Sequence, residues 1–256
     1  MDQNQQTEKN IDWTRGGFPT WGKMLVAVAV VLLLMLVFFR VRTFEVEGNV
    51  RYSLEEISEA SGLGEGDILM GVNKTSTASR LLVKLPYLEE VVIEKALPGT
   101  IRFSVKECTA SARVMSEFST CWLINDSGKL LEEIEDPEDT AYAAYPLISG
   151  TVLTMPFGGE IAEFDDSGRG EMAMELILAL QATGLSEKVS EINLENAASV
   201  YLIYEDRIEV RLGDGSDGEY KLQYLKAVVG ELDPEQKGAL DLSFSTGDRA
   251  IFHPIA

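Results

Sequence analysis

Phe44-Glu45-Val46-Glu47-Gly48-Asn49, followed by Tyr52-Ser53-Leu54-Glu55-Glu56-Ile57, decides how the folded part of this chain begins. The first six residues alternate apolar and charged, then break at Gly-Asn, the pattern of a short strand and a turn. Ser53 with Glu56 three positions later is a capping box, in which each side chain takes a free backbone N–H of a helix start. Ile57 and Ala60 continue the apolar face of that helix, and Gly62, Gly64 and Gly66 end it. The three glycines are no phosphate loop, because no strand precedes them and no Lys-Ser/Thr pair follows.

Toward the C-terminus, Ile68-Leu69-Met70 is a short apolar plug. A second helix is expected over 74–85, with Ala78, Leu81, Leu82 and Leu85 on one face and Pro86 as its stop. Residues 91–95 read as a strand, 97–100 as a turn and 101–107 as an alternating strand. The order β-α-α-β-β places two helices on one face of a three-stranded sheet.

Toward the N-terminus lies an unbroken apolar run over residues 24–39, extended forward by Trp21 and Gly22 with only Lys23 between. As a helix, 21–39 spans about 28 Å, close to the hydrocarbon thickness of a bilayer. Trp13, Phe18 and Trp21 suit an interfacial aromatic belt, and Lys23 can snorkel to the headgroups. The run ends in Phe38-Phe39-Arg40-Val41-Arg42-Thr43, without the small-x-small pair of a signal-peptide cleavage site, so a retained transmembrane helix is expected. Lys9, Arg15 and Lys23 precede it and Arg40, Arg42 and Arg51 follow, so charge barely sets its direction. A tail over 1–20, Gln/Asn-rich and without apolar period, is expected to be disordered and cytoplasmic, with the long C-terminal part exported.

The chain carries a formal charge of −20 over 256 residues. Residues 1–40 hold four basic and three acidic side chains, leaving 18 basic and 39 acidic for the other 216, a charge of −21. Such a part is repelled by nucleic acid and by anionic lipid surfaces. Cys108 and Cys121 are the only cysteines. They allow one disulfide or two free thiols, and do not make a disulfide framework.

Past residue 107, Cys121-Trp122-Leu123-Ile124, Asn125-Asp126-Ser127-Gly128 and Lys129-Leu130-Leu131 form a hairpin signal. Helices are expected over 171–183, stopped by Gly184, and over 219–232. Strands are expected over 190–194, 199–204, 207–212 and, last, 240–244. Residues 158–170 read as a mobile loop. The fold class is therefore α+β: one N-terminal transmembrane helix, a β-α-α-β-β unit, and a mixed β domain with two helices.

No catalytic constellation emerges. The single histidine, His253, leaves no Ser/His or Cys/His pair and no multi-histidine metal site. Asp165-Asp166 and the acids at Glu132, Glu133, Glu135 and Asp136 lack EF-hand spacing and read as solvated loops. Tyr201, Tyr204, Tyr220 and Tyr224 suit packing or an aromatic contact patch. The expectation is a non-enzyme without cofactor, metal, nucleic acid or small-molecule substrate. A membrane-anchored scaffold of this kind binds partners by β-augmentation at an exposed sheet edge.

Phe44-x-Val46-x-Gly48-Asn49, Tyr52-Ser53-x-Glu55-Glu56-Ile57, Gly66-Asp67-x-Leu69, Leu85-Pro86-Tyr87, Leu97-Pro98-x-Thr100-Ile101 and Val105-x-Glu107 together resemble a POTRA domain, more narrowly that of the FtsQ/DivIB cell-division family. Ile192-Asn193-Leu194, Arg211-Leu212-Gly213 and Lys221-Leu222 resemble that family's β domain. The resemblance implies a cytoplasmic tail (1–20), a transmembrane helix (21–39), a POTRA domain (44–107), a β domain (108–245) and a C-terminal tail (246–256). It implies a divisome scaffold at the septum, holding bitopic partners of the FtsB/DivIC and FtsL type. The family's partner edge is the final strand of the β domain, placed here at Leu240, Asp241, Leu242, Ser243 and Phe244. Ser243 stands where the family often has Arg, so a charged anchor for a partner carboxylate is missing. Two other readings stand beside it: a POTRA adaptor in envelope protein translocation or assembly, and a membrane-tethered cell-wall enzyme.

Overall fold

A computed structural model describes residues 20–136, 139–243 and 250–254. The expected tail, with Trp13 and Phe18, lies outside them. The first element is helix α1, Thr20–Phe38, whose described side chains stand exposed along its length. Among the described residues no helix is long and apolar enough to cross a membrane. Side chains at 35 and 36 lie outside the described set, which leaves α1 a described apolar stretch over 24–34.

The first module is a three-stranded sheet in the order β1-β3-β2. Strand β1 (Thr43–Glu47) runs parallel to β3 (Thr100–Glu107), and β2 (Leu88–Ala96) pairs antiparallel with β3. The central strand turns Ile101, Phe103 and Val105 inward, as its alternation requires. Helices α2 (Leu54–Ser61) and α3 (Lys74–Lys84) cover that face through Ile57, Ala60 and Leu81. Phe103 is fully buried and stacks on Phe44 with ring centroids 6.1 Å apart. Gly48 has φ +85°, and a Cβ there would collide with the Val105 carbonyl, so β1 needs glycine to leave the sheet.

The capping box forms as the sequence predicts. Ser53 Oγ accepts the Glu56 N–H (3.2 Å) and Glu56 Oε2 accepts the Ser53 N–H (2.8 Å). The Ser53 N–H and, second, the Ser53 hydroxyl donate to the Glu56 carboxylate and hold it below the usual carboxylate range. The bond's contribution is thus present above that range and fades as pH falls through the lowered value. Gly62, in the left-handed region at φ 70°, closes α2. Ser53→Ala is expected to destabilise the first module by about 1 kcal/mol, read as a lower denaturation midpoint.

The second module is a nine-stranded mixed sheet in the order β12-β11-β10-β9-β8-β7-β4-β5-β6. Its strands are β4 (Ala112–Ser116), β5 (Cys121–Ile124), β6 (Leu130–Ile134), β7 (Leu147–Leu153), β8 (Val189–Asn193), β9 (Val200–Tyr204), β10 (Ile208–Gly213), β11 (Gly238–Asp241) and β12 (Ile251–Pro254). Pairs β4–β7, β7–β8 and β10–β11 are parallel and the others antiparallel. Helices α4 (Ser167–Thr183) and α5 (Gly218–Val229) bury Leu176, Ile177, Leu180, Leu222 and Leu225 against the sheet.

Three of the departures from the sequence reading concern α4, the loop before it and the C-terminal segment. Helix α4 starts at Ser167 rather than 171, capped by Asp166, whose Oδ1 accepts the Arg169 N–H. Two glycines in its first turn hide that start; Gly170 is there because the Phe164 ring fills the space of a Cβ. The 158–170 loop is tied to the hairpin by Ala162 N–H on Gly128 O (2.8 Å) and by a bridge between Lys129 and Ile161. The third departure is β12, which lies in the segment expected to be tail.

Candidate partner-binding edge

The expected final strand is not at the sheet's edge. Strand β11 is flanked by β10, with Arg211 opposite Asp241, and by β12, with Ile251 opposite Asp241 and Phe252 opposite Leu240. Leu240 and Leu242 are fully buried and belong to the main core. Their side chains face the core beneath the sheet. Asp241 is half-buried; its carboxylate takes the Ser243 N–H (2.9 Å), which keeps it below the usual carboxylate range, with Arg211 and His253 adding to the effect. Phe244 lies outside the described residues.

Strand β12 is the outermost element instead. Phe252 is half-buried and packs on the core, whereas Ile251 and His253 are exposed and Pro254 ends the strand. Its approach depends on Gly238: a Cβ there would collide with the His253 carbonyl and the Phe252 ring. The sequence held this signal only faintly, as Gly238 paired with a four-residue apolar-polar patch too short to read as a strand. Gly238→Val is expected to lift β12 off β11 and to raise amide exchange at Ile251, Phe252 and His253 at least tenfold, with β9 and β10 unchanged.

Beside the end of β11 a polar cleft of about 560 Å³ is lined by Ser199, Arg211, Asp214, Ser216, Asp241 and Ser243. Arg211 Nε donates to Glu209 Oε1 (2.7 Å) on the same strand. A cation therefore does border Ser243, supplied by the neighbouring strand. Lys221 is almost fully buried, and its ammonium donates to Leu212 O, pinning α5 to the end of β10.

The two modules meet along a seam on the opposite face of β5 and β6, where Tyr87 packs with Cys121, Leu123, Leu131 and Ile134. Tyr87 Oη donates to Glu132 Oε1 (2.9 Å), and the Arg51 guanidinium lies 3.8 Å over the Tyr87 ring while reaching Glu132 Oε2 (3.3 Å). Burial, reinforced by the Glu132 bond, raises the Tyr87 hydroxyl well above the usual tyrosine range. Lys129 crosses the seam: its ammonium donates to Leu82 O (3.0 Å) and Leu88 O (2.7 Å) of the first module. Burial lowers the Lys129 pKa. Cys108 and Cys121 are both free thiols.

Three of the acidic residues expected to be solvated loops have partners. Asp165 accepts the Val152 N–H and the Thr151 hydroxyl, Asp166 caps α4, and Glu132 serves the seam. Among the described residues no group of three or more His, Cys, Asp or Glu is placed to hold a metal ion. Tyr204 is core, Tyr224 packs against it, and Tyr220 is exposed.

Residues 39–107 match the family model described as POTRA domain, FtsQ-type, and residues 112–243 match Cell division protein FtsQ/DivIB, C-terminal. Neither is an enzyme family. The chain is 28% identical to Cell division protein FtsQ of a Geobacter species over 84% of this chain and 76% of that protein. It is 25% identical to Cell division protein DivIB of Clostridium botulinum over 86% and 84%, and 28% identical to the DivIB of Geobacillus kaustophilus over 77% and 70%. Two adjoining family matches, laid over the two modules and continued by relatives along most of the chain, make this protein a member of the FtsQ/DivIB cell division family.

Proposed function

We propose that this chain is a non-catalytic divisome scaffold that holds bitopic division proteins of the FtsB/DivIC and FtsL type at the septum, by pairing one of their strands with the outer edge of β12. The observation that carries this reading is the free edge itself. A nine-stranded sheet ends in a four-residue strand with Ile251 and His253 exposed and no further strand beside it among the described residues. An unpaired row of N–H and C=O groups is a template for a partner strand, and side-chain pockets beside it supply selectivity. Arg211 in the adjoining cleft takes the place of the cation absent at Ser243. Arg211→Ala is expected to weaken partner capture several-fold without loss of stability, since the side chain is half exposed.

In the same reading α1 is the anchor. Its apolar run over 24–39, the solvent-facing Val and Leu side chains and the cations at Arg40 and Arg42 fit a single span, with residues 1–20 cytoplasmic and both modules outside. Confinement to the membrane plane raises the local concentration of partners that share it.

Depletion of the protein in its host, with a fluorescent fusion supplied in trans, tests the role. Filamentous cells and a mid-cell band of the fusion are expected. Normal septation in depleted cells at two growth temperatures would count decisively against a divisome role.

A further inference from the structure

The chain does not run free where α1 meets the first module. Leu69 N–H donates to Phe39 O (3.0 Å), Val41 N–H to Asp67 O (2.8 Å), Gly66 N–H to Val41 O (2.8 Å) and Arg42 N–H to Gly99 O (2.8 Å). These bonds gather two loops around the foot of the helix: the connection between α2 and α3, and the turn between β2 and β3. Each loop presents large apolar side chains to the outside. Ile68, Met70 and Leu97 are 46%, 60% and 62% exposed, whereas Leu69, between the first two, is fully buried. Burial of Leu69 fixes the loop and turns its neighbours outward.

The same foot carries cations in a strongly acidic chain. Arg40 and Arg42 are exposed, and the Lys95 ammonium donates to Met70 O (3.2 Å). None of the three joins an ion pair among the described residues, whereas Arg102, farther along the same sheet, is surrounded by Glu45, Glu47 and Glu94. Glu65 and Asp67 belong to the same loop, and Asp67 accepts the Gly64 N–H (2.9 Å).

We infer that the foot of the first module is seated in the headgroup layer of the bilayer that holds α1, with Ile68, Met70 and Leu97 inserted at the interface and Arg40, Arg42 and Lys95 against lipid phosphates. The inference rests on α1 being the anchor. Given that, Phe39 is directly bonded to Leu69, so no linker separates the loops from the end of the span. Apolar side chains beside unpaired cations are the chemistry of an interfacial contact. Overall charge repels the module from anionic lipid, so this cationic foot is where it can approach. Seating fixes the module's tilt and thereby the height at which the rest of the molecule stands above the membrane.

The test uses the full chain in phosphatidylcholine–phosphatidylglycerol liposomes doped with a phospholipid carrying a diazirine near its headgroup. After illumination, adducts are mapped by peptide mass spectrometry. Adducts are expected in α1 and also in peptides covering 66–72 and 95–100. The variant carrying Ile68→Ser, Met70→Ser and Leu97→Ser, all at exposed positions, is expected to lose the loop adducts at least tenfold while keeping those in α1. Adducts confined to α1 in the native chain would overturn the seating and leave the anchor standing. Loop adducts that persist in the triple variant would also overturn it. Absence of adducts from α1 would remove the anchor itself.

Discussion

Removing residues 250–256 is expected to reduce capture of the FtsB/DivIC-type partner at least tenfold, a loss of about 1.4 kcal/mol or more. The deletion takes away β12 and bares β11, so it separates two ways of binding. If the partner adds to β12, its template is gone. If the partner instead pairs with Leu240 and Asp241 after pushing β12 aside, deletion removes a competitor and capture rises. Proline scanning refines the result. Neighbouring residues of a strand send their N–H groups to opposite sides, so of Phe252→Pro and His253→Pro one removes a donor to β11 and the other a donor to the free edge. Both are expected to weaken capture, and only the first kind also loosens β12. Capture that is retained or strengthened in the deletion, measured by co-purification from membranes, would move the partner strand to β11.

Lys129→Ala is expected to cost about 3 kcal/mol in the unfolding free energy of the seam, the largest loss predicted for a single side chain outside the apolar cores. The ammonium satisfies two buried carbonyls at once. One belongs to Leu82, in the last turn of α3, where the helix leaves carbonyls unpaired and favours positive charge. The other belongs to Leu88, the first residue of β2. Alanine removes both bonds together with the buried stem that carries them. Tyr87→Phe, which removes one hydroxyl from the same seam, is expected to cost only about 1 kcal/mol. Denaturant unfolding of the two variants, together with protease cleavage between residues 107 and 112, checks the order. A loss below about 1 kcal/mol for Lys129→Ala would show that desolvating the ammonium already cancels what its bonds contribute. The lowered Lys129 pKa has a definite sign. The folded state sheds this proton more readily than the unfolded chain does, so the charge penalty operates below the lowered pKa. Stability from this group rises as pH climbs from there toward the ordinary lysine range.

Much of the fold was legible because its signals are local. The capping box at Ser53 and Glu56, the glycine stop at Gly62 and the alternation of Ile101, Phe103 and Val105 each concern residues within a few positions of one another. The same holds for the hairpin around Asn125, where the side-chain oxygen accepts the Ser127 and Lys129 N–H groups and makes the turn. Strand β4 was not legible: Ala112–Ser116 is short, and its place between β7 and β5 is set by pairing with a strand more than thirty residues away. Strand β12 is illegible for a related reason, since four residues carry too little periodicity and its partner glycine sits before an intervening segment.

The candidate site divides along the same line. Leu240 and Asp241 lie in a strand as expected, β11, which ends before Leu242; the strand is not at an edge, because alternation tells which face is buried and says nothing about what lies beside the strand. By itself the sequence determined the apolar helix, the β-α-α-β-β unit, the acidic surface and the positions of most strands and helices, all of which follow from short-range sterics and apolar periodicity. Only the tertiary structure decided that β12 covers β11, that Arg211 borders Ser243, that Lys129 bridges two modules and that Ile68, Met70 and Leu97 share one foot. Backbone hydrogen bonds between distant strands are the same for every residue type, so which edge stays open is settled by long-range pairing and leaves almost no mark on the local pattern.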